Sequence, residues 1–214
     1  MENLNKYIDH TNLKPFAAEA DIEKLCREAR ENGFASVCIN PCNVRLAAEL
    51  LAGSGVNVCT VIGFPLGQNT TEIKVKETEK ALEDGCREFD MVINIGALKE
   101  GRNDYVRSEI AAVVKAAAGN TVKVIIETGL LTDEEKVTAV RLSCEAGADF
   151  VKTCTGFNPG AATVEDVRLM KQNVTGGVRV KASGGIKTRA DALALIAAGA
   201  ERLGTSSGIS IING

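Results

Sequence analysis

Two lysines close apolar runs that read as strands: Lys152 in Phe150-Val151-Lys152-Thr153 and Lys181 in Val178-Arg179-Val180-Lys181-Ala182. A free lysine, with a pKa of about 10.4, is almost wholly protonated at pH 7, so an amine nucleophile has to be made by its surroundings. Lost hydration among apolar strands and a second ammonium nearby both favour the neutral amine. Taken singly, a strand-end lysine more often carries its head into solvent. The pair gains meaning only if the fold brings the two strand ends together.

Carboxylates stand where they could complete such a site. Alternation along Glu88–Asn94 puts Asp90, Val92 and Asn94 on one face, and along Val122–Glu127 it puts Lys123, Ile125 and Glu127 on one face. Asp9 ends the first apolar run. Asp90 reads equally as a solvated loop carboxylate, and Lys123 equally as a surface lysine at a lower rim. If these charges are inside, they must be paired, because an isolated buried charge costs several kcal/mol. A second constellation is Gly184-Gly185 with Gly204-Thr205-Ser206-Ser207-Gly208. Small residues let backbone N–H groups approach an anion and hydroxyls add donors. A short helix beginning near Ser206 would aim its N-terminus at a phosphate.

The elements that must position these groups alternate without interruption. Strand-like runs cover Lys6–Asp9, Ser36–Asn40, Asn57–Ile62, Glu88–Asn94, Val122–Glu127, Phe150–Lys152, Arg179–Ala182 and Arg202–Gly204. Helical patterns cover Ala18–Asn32, Asn43–Ala52, Thr71–Asp84, Tyr105–Ala118, Asp133–Ala146, Val164–Gln172 and Arg189–Ala198. Gly33, Gly85, Gly147 and Gly199 each close a helix and lead into a strand, at spacings of 52, 62 and 52 residues. Two βα units per repeat predict a single-domain (β/α)8 TIM barrel over residues 1–214, with its chemistry at the strand C-termini. The competing open Rossmann-like sheet lacks its Gly-x-Gly-x-x-Gly after the first strand.

Composition narrows the function classes. The 214 residues carry a net charge of −3, no Trp, two Tyr and no sustained basic run, so no nucleic-acid footprint is visible. No stretch is apolar enough for a membrane span and the first residues lack a signal-peptide core, so the cytoplasm is the expected location. Seven cysteines without a Cys-x-x-Cys pair read as reduced thiols; Cys26, Cys86 and Cys144 are expected core fillers, and Cys154 is expected to pack rather than react. His10 is the only histidine, expected to be structural, and no Cys/His spacing resembles a zinc site. No metal or organic cofactor is expected. A homodimer is a prior for small barrels rather than a reading of any patch.

Seven motifs, in order, resemble the class I deoxyribose-phosphate aldolase family from Tyr7 onward. They are Ile8-Asp9-His10-Thr11-Asn12-Leu13-Lys14-Pro15, Ser36-Val37-Cys38-Ile39-Asn40-Pro41, Val61 to Thr71, Phe89-Asp90-Met91-Val92-Ile93-Asn94, Lys123-Val124-Ile125-Ile126-Glu127-Thr128, Phe150 to Gly156, and Val180-Lys181-Ala182-Ser183-Gly184-Gly185. The resemblance implies reversible cleavage of 2-deoxy-D-ribose 5-phosphate to D-glyceraldehyde 3-phosphate and acetaldehyde. It implies Lys152 as the Schiff-base lysine, Lys181 as its neighbour in proton transfer, and Asp90 as proton donor and acceptor. Asp9, Thr11 and Lys123 are implied as supporting residues, and Gly156, Gly184, Gly185, Gly204, Ser206 and Ser207 as the phosphate cradle. Cys154 stands where the family usually has Ser, and Phe157 where some members have Lys. Two alternatives stay open: a Schiff-base aldolase for another phosphorylated sugar, and a barrel that binds sugar phosphate without chemistry.

Overall fold

Alternation of side chains along each strand builds two separate interiors in this protein. The computed structural model describes residues 4–214; residues 1–3, where the signal-peptide reading and the expected domain begin, lie outside the described residues. The strands are β1 (Ile8–Asn12), β2 (Ser36–Ile39), β3 (Asn57–Ile62), β4 (Glu88–Val92), β5 (Thr121–Ile125), β6 (Phe150–Lys152), β7 (Arg179–Ser183) and β8 (Arg202–Thr205). They pair in sequence order, and β1 also pairs with β8 in parallel, so the sheet closes into the predicted barrel. Around it lie α1 (Glu19–Asn32), α2 (Val44–Leu50), α3 (Thr71–Glu83), α4 (Ile95–Lys99), α5 (Asn103–Ala116), α6 (Asp133–Glu145), α7 (Val164–Asn173), α8 (Arg189–Ala197) and α9 (Gly208–Asn213).

Outward strand residues such as Val37, Met91, Val124 and Val180 join helix residues such as Ile22, Ile110, Val140 and Met170 in one apolar core. That layer supplies the hydrophobic stabilisation, at roughly 25 cal/mol per Å² buried. The opposite faces hold a small apolar cluster, Leu13, Cys38, Cys59 and Val61, and the charged residues described below. His10 faces outward, beside Phe34, with Nε2 2.8 Å from Glu28 Oε2, a structural role as expected. All seven cysteines are free thiols; Cys26 and Cys86 are buried, and Cys144 is half-buried.

The structure moves several predicted boundaries. Residues 4–7 form a 3-10 turn, and β1 runs on to Asn12, so Asp9 lies within the strand rather than at its end. The polar residues His10, Thr11 and Asn12 hid the strand's continuation past Asp9, because no apolar alternation marks it. Strand β4 stops at Val92: Asn94 instead caps α4, its Oδ1 accepting from the Ala97 N–H at 2.9 Å, and does not face the interior. Glu127 lies beyond β5 with φ of 59°, and therefore leaves the face of Lys123 and Ile125.

The loop after β3 is tied down from behind. Lys74 is buried and donates to the carbonyls of Gly67 (2.9 Å) and Val92 (2.8 Å), while pairing with Glu109 at 2.9 Å. Gly67 sits at φ 69°, and a Cβ there would lie 2.0 Å from the Ile93 carbonyl oxygen. Gly53 has a similar φ of 71° with nothing near its missing Cβ. Gly53→Ala should therefore cost about 1 kcal/mol for the left-handed backbone alone, and Gly67→Ala at least about 2 kcal/mol more because packed backbone must shift. Urea unfolding of the two variants gives the difference.

Candidate active site

The barrel interior is filled by charge, arranged in a closed ring. Asp90, central on β4, accepts from Lys123 Nζ at Oδ1 (2.8 Å) and from Lys181 Nζ at Oδ2 (2.6 Å). Lys181 continues to Asp9 Oδ2 at 2.5 Å, and Lys123 to Glu88 Oε2 at 2.6 Å. Arg202 closes the circuit, with Nη1 2.7 Å from Asp9 Oδ1 and 3.0 Å from Glu88 Oε2. Lys152 joins from β6, donating to Asp90 Oδ2 at 2.8 Å. Register explains the convergence: Asp90 is level with Lys123, and Lys152 with Lys181.

Burial pushes the carboxyls of Asp90 and Asp9 up, but the surrounding cations more than reverse it. Lys123, Lys152 and Lys181 hold Asp90 well below the carboxylate range, and Lys181, Lys123 and Arg202 do the same for Asp9. Lys181 shows the mirror image: burial drives its ammonium toward neutrality, yet Asp9 and Asp90 hold it above the usual lysine range. Lys123 is raised by Asp90, Cys59, Glu88 and Asp9 against the same burial effect. Lys181 is therefore a fixed ammonium, and Asp90 a carboxylate rather than a resting acid.

Above this cluster opens a cavity of about 270 Å³. Among the described residues of the charged cluster, Lys152 alone lines it; Asp90, Lys123 and Lys181 lie behind. Thr11 lines it too, its hydroxyl donating to the Asp9 carbonyl at 2.8 Å. Gly156, Gly184, Gly185, Gly204, Ser206 and Ser207 all line the same cavity, and α9 begins at Gly208, just past them. Gly204 has a second role, since a Cβ there would lie 2.9 Å from Ser183 Cβ and 3.2 Å from Lys181 Cε. The missing side chain leaves room for the Lys181 stem.

Sequence reasoning missed several residues here. Lys14 and Lys187 line the cavity as exposed cations, and neither has a local signal beyond an ordinary surface lysine. Glu88 and Arg202 complete the ring from strand starts. Glu127 turns to the loop after β6, accepting from the Thr155 hydroxyl, the Thr155 N–H (3.1 Å) and Asn158 Nδ2 (2.9 Å), and so orders the loop that follows Lys152. Phe157 lines the cavity edge-on to Phe64, with centroids 5.2 Å apart. Cys154 is buried, its thiol 3.4 Å from the Thr128 hydroxyl and pushed up by burial.

Cys38, Cys59 and Asp90 bring three potential metal-ligand atoms within 4.8 Å of one another. That corner already holds a cation: Lys123 Nζ lies 3.2 Å from Cys59 Sγ and 2.8 Å from Asp90 Oδ1. The donor set is thus matched to an ammonium, and a dication would have to displace it.

A closed parallel barrel whose strand ends present a cavity-lining amine on a buried carboxylate defines an enzyme of the TIM-barrel class. The chain belongs to the DeoC/LacD family of aldolases, whose family model matches residues 4–213. It is 59% identical over 212 residues to the deoxyribose-phosphate aldolase of Brevibacillus brevis, covering 99% of this chain and 96% of that one. It is 61% identical to the deoxyribose-phosphate aldolase of Streptococcus gordonii, with the same coverage. Among solved structures, the aldolase QR15 superposes with a TM-score of 0.95 at 46% identity, covering 100% of this chain and 96% of that one. The deoxyribose phosphate aldolase of Aeropyrum pernix, described as a unique tetramer, superposes with a TM-score of 0.93 at 37% identity, covering 99% and 90%.

Proposed function

We propose that the protein is a lyase that reversibly cleaves 2-deoxy-D-ribose 5-phosphate to D-glyceraldehyde 3-phosphate and acetaldehyde through an imine on Lys152. The observation that carries this reading is the placement of Lys152 as the cluster's one amine on the cavity wall, backed by an ionised Asp90 and a fixed Lys181 ammonium. Family membership and the names of the full-length relatives support the substrate.

The neutral Lys152 amine attacks the C1 aldehyde to give a carbinolamine, which loses water to a protonated imine. A base takes the C3 hydroxyl proton, the C2–C3 bond breaks, and its electron pair enters the imine to form an enamine. Glyceraldehyde 3-phosphate leaves, C2 is protonated, and water releases acetaldehyde and the free amine. Lys181 stands behind Lys152 as its neighbour in proton transfer, and Asp90 is the carboxylate whose Oδ2 both lysines share. Asp9, Thr11 and Lys123 support that pair, and no metal or organic cofactor has a step.

The phosphate sits against Gly156, Gly184, Gly185, Gly204, Ser206 and Ser207, with Lys14 and Lys187 supplying charge. Its binding energy positions the reacting carbons. Lys187→Met should raise KM for the phosphorylated sugar roughly tenfold or more, the loss of one charged contact, and leave unphosphorylated deoxyribose unaffected. Steady-state assays on both sugars check it. The deciding experiment is borohydride reduction with deoxyribose 5-phosphate and peptide mapping: an adduct on Lys152 is expected, and tight sugar-phosphate binding with no adduct would favour a binding barrel instead.

The same reading takes residues 1–214 as one aldolase domain and places the protein in the cytoplasm. Seven free thiols support the latter, and no helix among the described residues is long and apolar enough to cross a membrane. A homodimer is the assembly it expects; light scattering that returned the single-chain mass would refute that part.

A further inference from the structure

Arg202 and Glu88 have no part in the steps above. Each opens its strand, Arg202 at the start of β8 and Glu88 at the start of β4, and neither lines the cavity. Yet they close the ring. Asp9, Glu88 and Asp90 face Lys123, Lys181 and Arg202 in strict alternation, so each member has a partner of opposite sign on both sides. Three carboxylates against three cations leave the ring without net charge. Lys152 is attached at one atom only, Asp90 Oδ2, which Lys181 already holds.

We infer that Arg202, together with Glu88, is a positioning residue for the lysine chemistry. By closing a self-neutral ring on the barrel floor, the pair leaves Lys152 as the one lysine of the buried cluster without a carboxylate of its own, and hence the amine that faces the substrate for attack. The inference rests on the lyase reading above. Like charges at close range disfavour one another and opposite charges hold one another in place, so the net charge of the ring reaches Lys152 through Asp90.

On the cavity side, the exposed ammonium groups of Lys14 and Lys187 share the space that Lys152 faces; beside the ring itself the other groups are few. Cys38 comes from β2; Cys59 comes from β3, donating to Asp90 Oδ1 at 3.1 Å. Burial pushes the Cys59 thiol up, whereas Cys59 beside it holds the Cys38 thiol down. Arg179 of β7 shares the Phe150 ring with Arg202, at 4.0 and 5.4 Å from its centroid. Ser36 donates to Asp9 Oδ1 at 2.7 Å and Asn57 to Glu88 Oε1 at 2.9 Å, both without charge.

The test is the pH profile of kcat/KM for deoxyribose 5-phosphate cleavage in Arg202→Met, Arg202→Lys, Glu88→Gln and the Arg202→Met/Glu88→Gln double variant. Arg202→Met leaves the ring one charge negative, which retains a proton on the nucleophile. Its acid limb should move up by about one pH unit, a roughly tenfold loss below the limb that is recovered in alkali. Glu88→Gln should move the limb down, the double variant should return it near wild type, and Arg202→Lys should barely move it. A Cys38→Ser background, which removes that thiol's titration, should preserve these directions. A merely structural role lowers kcat/KM at every pH, and cannot reverse sign or cancel. If Arg202→Met does not fold, Glu88→Gln and Arg202→Lys still give distinct expectations to measure, a lowered limb in the first and an unmoved one in the second. An unmoved limb in folded Arg202→Met or Glu88→Gln, or shifts of one sign in these two, overturns the inference while the lyase reading stands; a wild type without lyase activity overturns both.

Discussion

Lys152→Met should lower kcat/KM for deoxyribose 5-phosphate cleavage by at least about 10⁴-fold, the scale seen when a covalent nucleophile is removed, and should leave no borohydride-trapped adduct. The fold should survive, because Lys152 is outside the ring: with it gone, Asp90 still lies between Lys123 and Lys181. Lys181 cannot substitute, since Asp9 and Asp90 keep it protonated and it does not reach the cavity wall. Activity within tenfold of wild type, or an adduct on Lys181, would sink the assignment. Thermal unfolding run alongside separates lost chemistry from lost structure.

Asp90→Asn should do both kinds of damage. It removes the carboxylate shared by Lys123, Lys152 and Lys181, leaving buried ammonium groups short of a partner, which costs about 3–5 kcal/mol when one half of a buried pair is deleted. Urea unfolding at neutral pH reads this cost, and activity should fall with it because the amines lose their orienting partner. The pH dependence has a definite sign. Asp90 and Asp9 have folded pKa values below their unfolded value of about 3.9, so their contribution is present above that pH and is lost as pH falls. Lys123 and Lys181 are shifted upward, so theirs is present below about pH 10.4 and is lost as pH rises through the folded values. The Asn variant should lack the Asp90 part of the acid response, and an unchanged acid transition in it would contradict the ring.

Much of this site was legible because it follows local rules. Period-two alternation carried Asp90 inward, apolar runs marked the strands that end in Lys152 and Lys181, and the glycines after helices gave the barrel count. What alternation could not supply was closure. Arg202 meets Glu88 across 114 residues of sequence and Asp9 across 193, and a charged residue opening a strand looks like any turn residue until the barrel brings it inside. Lys123 read equally as surface or interior for the same reason. Where the period itself breaks, reading it forward misleads: the left-handed backbone at Glu127 turns its carboxylate to Thr155, and Asn94 becomes a helix cap. The five-residue α4 is too short to show any helical period.

The contact between Arg202 and Asp9 also bears on the order in which this chain becomes stable. Strand β1 is made early and β8 late, and only β8 brings the guanidinium that Asp9 and Glu88 share. A nascent chain ending before residue 202 therefore has an open sheet edge on β1 and a ring of three carboxylates, Asp9, Glu88 and Asp90, against only two cations, Lys123 and Lys181, both unfavourable in a low-dielectric interior. Most of the barrel can collapse during synthesis, but the charges inside it balance only when its last strand docks against its first. Closure of the sheet and neutralisation of its interior are thus one cooperative event, reserved for a chain that has reached β8.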